Sequence, residues 1–125
     1  MSKADKILVV DDEQAVCDVL KKFLGKKGYT GLTALSGQEA LEIIKNEKPK
    51  IVLLDIRMPE MNGIEVLKKI REIDQQIGIV MITAVHEEET AKKCIKLGAY
   101  DYITKPFGLE YLENVLMVKL LDFDD

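Results

Sequence analysis

Short aliphatic runs alternate with helix-period segments along the whole chain, and this alternation constrains the fold more than any other feature. Five runs predict β-strands, over residues 7–10, 30–35, 51–55, 79–83 and 100–104. The first is predicted to be fully buried, and the second, which is less apolar, is expected near a sheet edge. Each run is followed by a segment whose apolar residues recur at spacings of three and four, which is typical of an amphipathic helix. The chain is therefore predicted to fold as five consecutive strand–helix units.

The helical segments predict which side chains face the core and where one helix begins. Four side chains that we expect to face inward come from different helices: Val19, Ile73, Ile95 and Leu109. At the second helix, Ser36 followed by Glu39 predicts a capping box. In that motif the hydroxyl accepts from a helical N–H, while the carboxylate accepts from the N–H of the cap residue itself.

The strands predict a parallel sheet with helices on both faces. Strands that are apolar along their whole length need cover on both sides, and helical crossovers make neighbouring strands parallel. Five units suit the flavodoxin-like, doubly wound α/β sheet with strand order 2-1-3-4-5. The 125 residues, of which 47% are hydrophobic, suffice for one core. We predict a single domain over residues 1–125, with its core at about 6–121.

The composition argues against several classes of protein. A net charge of −4 disfavours a nucleic-acid-binding surface, so direct contact with nucleic acid is not expected. The aliphatic runs are far shorter than the roughly 20 residues of a membrane helix. No secretory signal is recognisable, so we expect no membrane contact and a cytoplasmic location. Cys17 and Cys94 lack the spacing of a metal site and are expected to be reduced thiols.

Polar residues follow four of the predicted strands, at the edge where open α/β sheets bind ligands. These residues are Asp11, Asp12, Asp55, Thr83 and Lys105. Taken singly, each has an ordinary explanation, such as a helix cap or a surface lysine. Together, three carboxylates at one edge would repel one another unless a cation lies among them, and Mg²⁺ prefers oxygen ligands of this kind. The combination predicts a magnesium-assisted phosphoryl site.

Four motifs occur at these same strand ends. They are Leu8-Val9-Val10-Asp11-Asp12-Glu13, Asp55-Ile56-Arg57-Met58-Pro59-Glu60-Met61-Asn62-Gly63, Ile82-Thr83-Ala84 and Tyr102-Ile103-Thr104-Lys105-Pro106-Phe107. Together they resemble the receiver domain of two-component response regulators, and the resemblance extends over residues 6–121. One acidic pair alone would be a weak signal, whereas four motifs at these spacings are specific.

The resemblance implies a phosphoacceptor and a metal site. It makes Asp55 the residue that is phosphorylated, which agrees with the known capacity of a carboxylate to form an acyl phosphate. It makes Asp12 a direct ligand of Mg²⁺, with Asp11 in the same acidic cluster. Asp55 and the backbone carbonyl of Arg57 complete the protein ligands that the family implies.

The resemblance also implies roles for residues of the last two strands. Thr83 is expected to hydrogen-bond a phosphoryl oxygen, and Lys105 to pair with the acyl phosphate. The peptide bond between Lys105 and Pro106 is expected to be cis. Tyr102 is expected to act as an aromatic switch that follows the movement of Thr83.

These roles together imply a phosphorylation-activated signalling switch. The phosphoryl group would come from the phosphohistidine of a sensor histidine kinase, since His86 is the only histidine of the chain. Phosphorylation would change the face formed by the fourth helix, the fifth strand and the fifth helix. That face would control an output domain or a downstream protein, and it would allow a homodimer. The chain would catalyse its own phosphotransfer and dephosphorylation without turning over an external substrate, which leaves open whether to class it as an enzyme.

Two residues are expected to set the lifetime of the phosphoryl group. Arg57 and Val85 lie two positions beyond Asp55 and Thr83, where they flank the approach of water. Their size and polarity predict slow self-hydrolysis.

Three other functions remain open from the sequence. A small Mg-dependent phosphatase also uses an aspartyl phosphate, but its motif needs an acid where this chain has Arg57. A flavodoxin-like cofactor carrier shares the predicted fold, although the chain has no tryptophan to stack on a flavin. Without phosphorylation, the domain would serve only as a docking module.

Overall fold

A computed structural model describes residues 5–123, so the first four and the last two residues of the predicted domain lie outside the described part. Strands and helices alternate throughout. The strands are β1 (Lys6–Val10), β2 (Thr30–Ala34), β3 (Ile51–Leu54), β4 (Gly78–Thr83) and β5 (Asp101–Thr104). The helices are α1 (Gln14–Lys26), α2 (Gly37–Glu47), α3 (Gly63–Ile73), α4 (Glu88–Lys96) and α5 (Leu109–Phe123). Each predicted strand is present, with one of its two ends shifted by one residue.

The five strands form one parallel sheet in the order β2-β1-β3-β4-β5. The predicted flavodoxin-like topology is therefore confirmed. The register pairs the last residue of β1, Val10, with the last residue of β3, Leu54, and β4 continues two residues beyond Met81, the partner of Leu54. As a result, the residues that follow β1, β3 and β4 emerge side by side at one edge.

The core consists of two apolar layers, one on each face of the sheet. On one face, α2, α3 and α4 cover the sheet with side chains that include Ile44, Leu67 and Cys94. On the other face, α1 and α5 contribute side chains that include Leu24 and Leu112. The three central strands β1, β3 and β4 are buried on both sides, which explains their continuous aliphatic sequences, whereas the edge strands β2 and β5 are only partly buried.

Both cysteines are free thiols, as predicted from their spacing, and both are fully buried. Cys17 donates its S–H to the carbonyl oxygen of Asp11 at 3.4 Å. Burial raises the pKa of both thiols, so they remain protonated at neutral pH.

Four side chains that were predicted to face the core are exposed, so this part of the prediction is wrong. The exposed fractions are 59% for Val19, 44% for Ile73, 47% for Ile95 and 40% for Leu109. The exposure shows that neighbouring elements leave these four positions uncovered. Val19 and Leu109, for example, both line an open groove beside α1.

The predicted capping box at α2 is only half formed. Ser36 Oγ accepts from the N–H of Glu39 at 3.2 Å, as expected. The Glu39 carboxylate instead accepts from the N–H of Leu35 at 2.7 Å, one residue before the cap. The strand leading into α2 presents the Leu35 N–H to this carboxylate, so the helix is capped by a different pair of bonds.

No helix among residues 5–123 combines the length and the apolar character that crossing a bilayer requires.

Candidate functional site

The acidic residues predicted from the sequence meet at the carboxyl edge of the sheet. Asp11 and Asp55 directly follow paired residues of β1 and β3, and Asp55 donates its N–H to Val10 O at 3.0 Å. Both side chains are buried, with 2% and 6% of their surface exposed, whereas Asp12 is exposed. One carboxylate oxygen from each of the three lies within 4.8 Å of the others. The strand register thus gathers three carboxylates around one point.

Lys105 is the cation that partly neutralises this cluster. Its Nζ lies 2.8 Å from Asp11 Oδ2 and 3.6 Å from Asp55 Oδ2. Burial favours the neutral amine, but the hydrogen bond to Asp11 and the charge of Asp55 outweigh it, so the pKa of Lys105 is raised. The lysine therefore stays charged, and one ammonium faces two buried carboxylates.

The two oxygens of Asp55 have different surroundings. Oδ1 accepts the N–H of Ile56 at 2.8 Å, which fixes the rotation of the carboxylate. Oδ2 points towards Lys105 at the longer distance of 3.6 Å. In Asp11, Oδ1 likewise accepts a backbone N–H, that of Glu13, at 2.9 Å. Asp55 Oδ2 is consequently an oriented and weakly engaged oxygen, as a nucleophile requires.

Gly63 allows the loop after β3 to return against Asp55. A Cβ at this position would lie 2.0 Å from the carbonyl oxygen of Asp55, and Gly63 donates its N–H to Ile56 O at 2.8 Å. Beside it, Asn62 and Glu65 form a capping box that starts α3. An Asn-Gly pair in a sequence is a signal for a turn, but nothing local shows how closely two backbones approach. Gly63 is thus a positioning residue that sequence reasoning missed.

Thr83 and Tyr102 are connected through one residue. Thr83 is fully buried at the end of β4, and its Oγ1 accepts the N–H of Val85 at 3.3 Å. Tyr102 donates its hydroxyl to the carbonyl of that same Val85 at 2.7 Å. Burial is the main cause that raises the pKa of Tyr102 to about 12, and nearby acidic groups add to it. A movement of Thr83 would therefore displace Val85 and alter the hydrogen bond that Val85 accepts from Tyr102.

The remaining predicted residues line the same edge. The Lys105–Pro106 peptide bond is cis, and Lys105 donates its N–H to Thr83 O at 2.8 Å. Arg57 lies in the loop between β3 and α3 with its side chain exposed, and Val85 is buried. His86 is exposed in the loop before α4.

The donor set suits a hard divalent cation. The cluster offers only carboxylate oxygens, which are the ligands that Mg²⁺ and Ca²⁺ prefer. Asp12 is exposed and open to solvent, so a bound ion could keep several waters, as Mg²⁺ usually does.

Comparison with known proteins identifies the family. The response regulator receiver domain matches residues 7–117. The chain is 36% identical over 112 residues to sporulation initiation phosphotransferase F of Bacillus subtilis, which covers 90% of each protein. It is 44% identical over 103 residues to the alkaline phosphatase synthesis transcriptional regulatory protein PhoP of the same organism, covering 82% of this chain but 43% of that protein.

A solved structure supports the same assignment. The CheX–CheY–BeF3–Mg²⁺ complex of Borrelia burgdorferi contains a chain that aligns with a TM-score of 0.89 and 33% identity, covering 93% of this chain and 89% of that chain. These matches favour a switch over the phosphatase, the cofactor carrier and the bare docking module. The chain belongs to the receiver domain family of response regulators and is a phosphorylation-dependent signalling switch.

Proposed function

We propose that Asp55 accepts a phosphoryl group from the phosphohistidine of a sensor histidine kinase. The observation that carries this proposal is the position of Asp55 Oδ2, which is oriented by the Ile56 N–H and lies 3.6 Å from the Lys105 ammonium. In the transfer, a bond forms between Oδ2 and phosphorus, and the bond between phosphorus and the donor nitrogen breaks. The electron pair of the broken bond stays with the imidazole. The ionised carboxylate needs no general base.

The reaction is proposed to depend on Mg²⁺ held by the acidic cluster. The ligands would be Asp11, Asp12, Asp55 and the backbone carbonyl of Arg57. Support comes from the all-oxygen donor set and from the Mg²⁺ present in the Borrelia complex. When bound, Mg²⁺ supplies positive charge that offsets the developing charge on the phosphoryl oxygens.

Lys105 is proposed to exchange one partner for another on phosphorylation. In the unphosphorylated chain its Nζ is hydrogen-bonded to Asp11 and lies farther from Asp55. An acyl phosphate on Asp55 places new negative oxygens on the side that Lys105 already faces. The ammonium would then bind the phosphoryl group, which holds the product in place.

Thr83 and Tyr102 are proposed to transmit the change. The Thr83 hydroxyl now accepts from Val85, and it would turn to donate to a phosphoryl oxygen. Because Tyr102 is bonded to the carbonyl of Val85, the shift of this segment would release the ring. The affected surface is the one formed by α4, β5 and α5.

The partners follow from this surface and from the relatives. The chain spans less than half of the transcriptional regulator PhoP, which supports control of an output domain or of a separate downstream protein. The net charge of −4 supports leaving nucleic-acid contact to that partner. We also propose that phosphorylation allows a homodimer to form through the same face. The location is proposed to be cytoplasmic, without direct membrane contact.

The phosphoryl group is proposed to be lost slowly by self-hydrolysis. Arg57 has an exposed and mobile type of side chain, and Val85 is buried and apolar, so neither favours an ordered attacking water. The chain would thus catalyse its own phosphorylation and dephosphorylation, and would not turn over an external substrate.

Incubation with acetyl phosphate and Mg²⁺ tests the proposal. Intact mass measurement is expected to show one phosphoryl group that is stable in acid and lost in base. Asp55→Asn should abolish the adduct, while Asp18→Asn, at an exposed position on α1, should leave it unchanged. An adduct that survives Asp55→Asn, or none on the wild type, would overturn the assignment.

A further inference from the structure

A polar cleft lies at the amino edge of the sheet, opposite the acidic cluster. It is bounded by the end of α3, the connection between α4 and β5, and the last turns of α5, and its volume is about 520 Å³. Three of its lining residues are cations: Arg71, Lys96 and Lys119. Among the described residues that line it, none is Asp or Glu. The cleft therefore gathers positive charge without a carboxylate in its wall.

Arg71 is fixed by backbone carbonyls and not by an acid. Its Nε and Nη2 donate to Gly98 O at 3.2 and 2.7 Å, and Nη1 donates to Asp74 O at 3.2 Å. A Cβ at Gly98 would lie 2.7 Å from Arg71 Nε, so a glycine lets the guanidinium come this close. A guanidinium has five N–H donors, and two of them have no acceptor among residues 5–123. The Arg71 guanidinium is thus held in place, and two of its N–H groups remain available to bind a ligand.

Lys119 is held mainly by aromatic rings. Its Nζ lies 4.8 Å from the centre of the Tyr100 ring and 5.3 Å from that of Phe123, both within cation–π range. Its carboxylate neighbour, Asp122, is 3.9 Å away and largely exposed. The ammonium is thus oriented by the rings, with one exposed carboxylate near the limit of ion-pair distance. Lys96, at the end of α4, is exposed and adds a third positive group.

We propose that this cleft binds a compact oxyanion that carries two or more negative charges, on phosphate or carboxylate groups. Guanidinium and ammonium donors that the fold already holds in place lose little conformational entropy when they bind such anions. The cleft is separated from Asp55 by the length of β4, about 17 Å. The anion would join the ends of α3, α4 and α5 independently of phosphorylation.

Isothermal titration with pyrophosphate and with citrate tests the proposal, in Mg²⁺-free buffer at an ionic strength fixed with chloride. Lys96→Gln/Lys119→Gln should weaken binding by about tenfold, the value of losing charge-assisted hydrogen bonds. Lys92→Gln/Lys93→Gln removes the same charge from exposed positions of α4 outside the cleft, and should change the affinity less than about twofold. Lys96→Gln alone, at an exposed position, guards against misfolding of the double variant.

Amide chemical shifts recorded in the same titration locate the anion. The amides of Gln75, Gly98 and Tyr100 are expected to shift, while those of Asp11 and Asp55 are not. Tighter binding of pyrophosphate would assign phosphate chemistry, and tighter binding of citrate would assign carboxylate chemistry. An equal loss in both double variants, shifts confined to the phosphorylation edge, or no saturation by either anion would overturn the proposal.

Discussion

The two edges of the sheet hold opposite charges in different ways. At the carboxyl edge, Asp11 and Asp55 are buried and share the single ammonium of Lys105. At the amino edge, Arg71 and Lys119 are held by carbonyl oxygens and aromatic rings. The first edge therefore has more buried carboxylates than cations, whereas the cleft at the second edge is lined by cations without an Asp or Glu among its described lining residues.

This difference shows what sets the carboxyl edge apart from the rest of the surface. An unbalanced group of buried carboxylates is costly unless a cation arrives, whereas exposed ion pairs contribute little. Lys6 and Glu47 form such an exposed pair at 3.0 Å, with 44% and 45% of their side-chain surface accessible. The carboxyl edge therefore differs from an ordinary charged surface in the burial of its charges, and not in their number.

The largest effect is expected where the backbone itself shapes the carboxyl edge. Gly63→Ala would place a methyl group 2.0 Å from Asp55 O, so the β3–α3 loop must move. We expect a loss of at least about 3 kcal/mol in the free energy of unfolding, measured with urea, together with loss of the phosphoryl adduct. Gly25→Ala is the control, because nothing lies within 4 Å of its Cβ, and it should be neutral or stabilising. Equal effects of the two variants would refute the role of Gly63.

Removing the shared cation is expected to cost less. Lys105→Met leaves Asp11 and Asp55 facing each other, and should lower the free energy of unfolding by about 2 kcal/mol in Mg²⁺-free buffer. Added Mg²⁺ should recover more stability in this variant than in the wild type. Lys6→Met, which breaks the exposed pair, should cost less than about 1 kcal/mol. If both lysines cost the same, burial does not distinguish the two pairs.

Cation binding should stabilise the fold through the exposed member of the cluster. At ten times its dissociation constant, Mg²⁺ is expected to add about 1.4 kcal/mol, seen as a higher melting temperature. Asp12→Asn should remove most of this gain, and Asp18→Asn should leave it intact. A gain that survives Asp12→Asn would place the ion elsewhere.

The smallest effect concerns the hydroxyl of Tyr102. Its pKa is raised from 10.0 to about 12, so folding favours the neutral form. Its contribution to stability is complete below pH 10 and is lost as the pH rises towards 12. The tyrosinate absorbance of the wild type minus that of Tyr102→Phe should therefore stay flat through pH 10. A difference signal that titrates at the ordinary tyrosine value would contradict the burial of this hydroxyl.

Much of the fold could be predicted because its signals are local and repeated. The aliphatic runs before Asp11 and Asp55 fix two buried strands, and the parallel topology brings their ends together. Thr83 and Lys105 follow the fourth and fifth predicted strands, so the same topology brings them to this edge as well. The strand order itself came from the general rule for five-unit sheets and was confirmed by the structure.

The rest depends on distances between residues far apart in the chain. Lys105 is 94 positions from Asp11, so no sequence pattern shows that it binds this carboxylate. The close approach of Gly63 to Asp55 is likewise a property of the folded backbone. Val19 has the right periodicity for the core, but its exposure depends on the width of the gap between α1 and α5. The periodicity of apolar residues predicts which face of a helix is apolar. Whether a neighbouring element covers that face depends on tertiary packing.

Locating the phosphoryl group on the chain tests the central claim most directly. After phosphorylation with acetyl phosphate and Mg²⁺, borohydride reduction converts the modified aspartate to homoserine, and trypsin then separates the candidates. Cleavage after Lys50 and Arg57 releases residues 51–57, in which Asp55 is the only acidic side chain. Asp11 and Asp12 lie in a different tryptic peptide. We predict homoserine at position 55, and its appearance at position 11 or 12 would contradict the account.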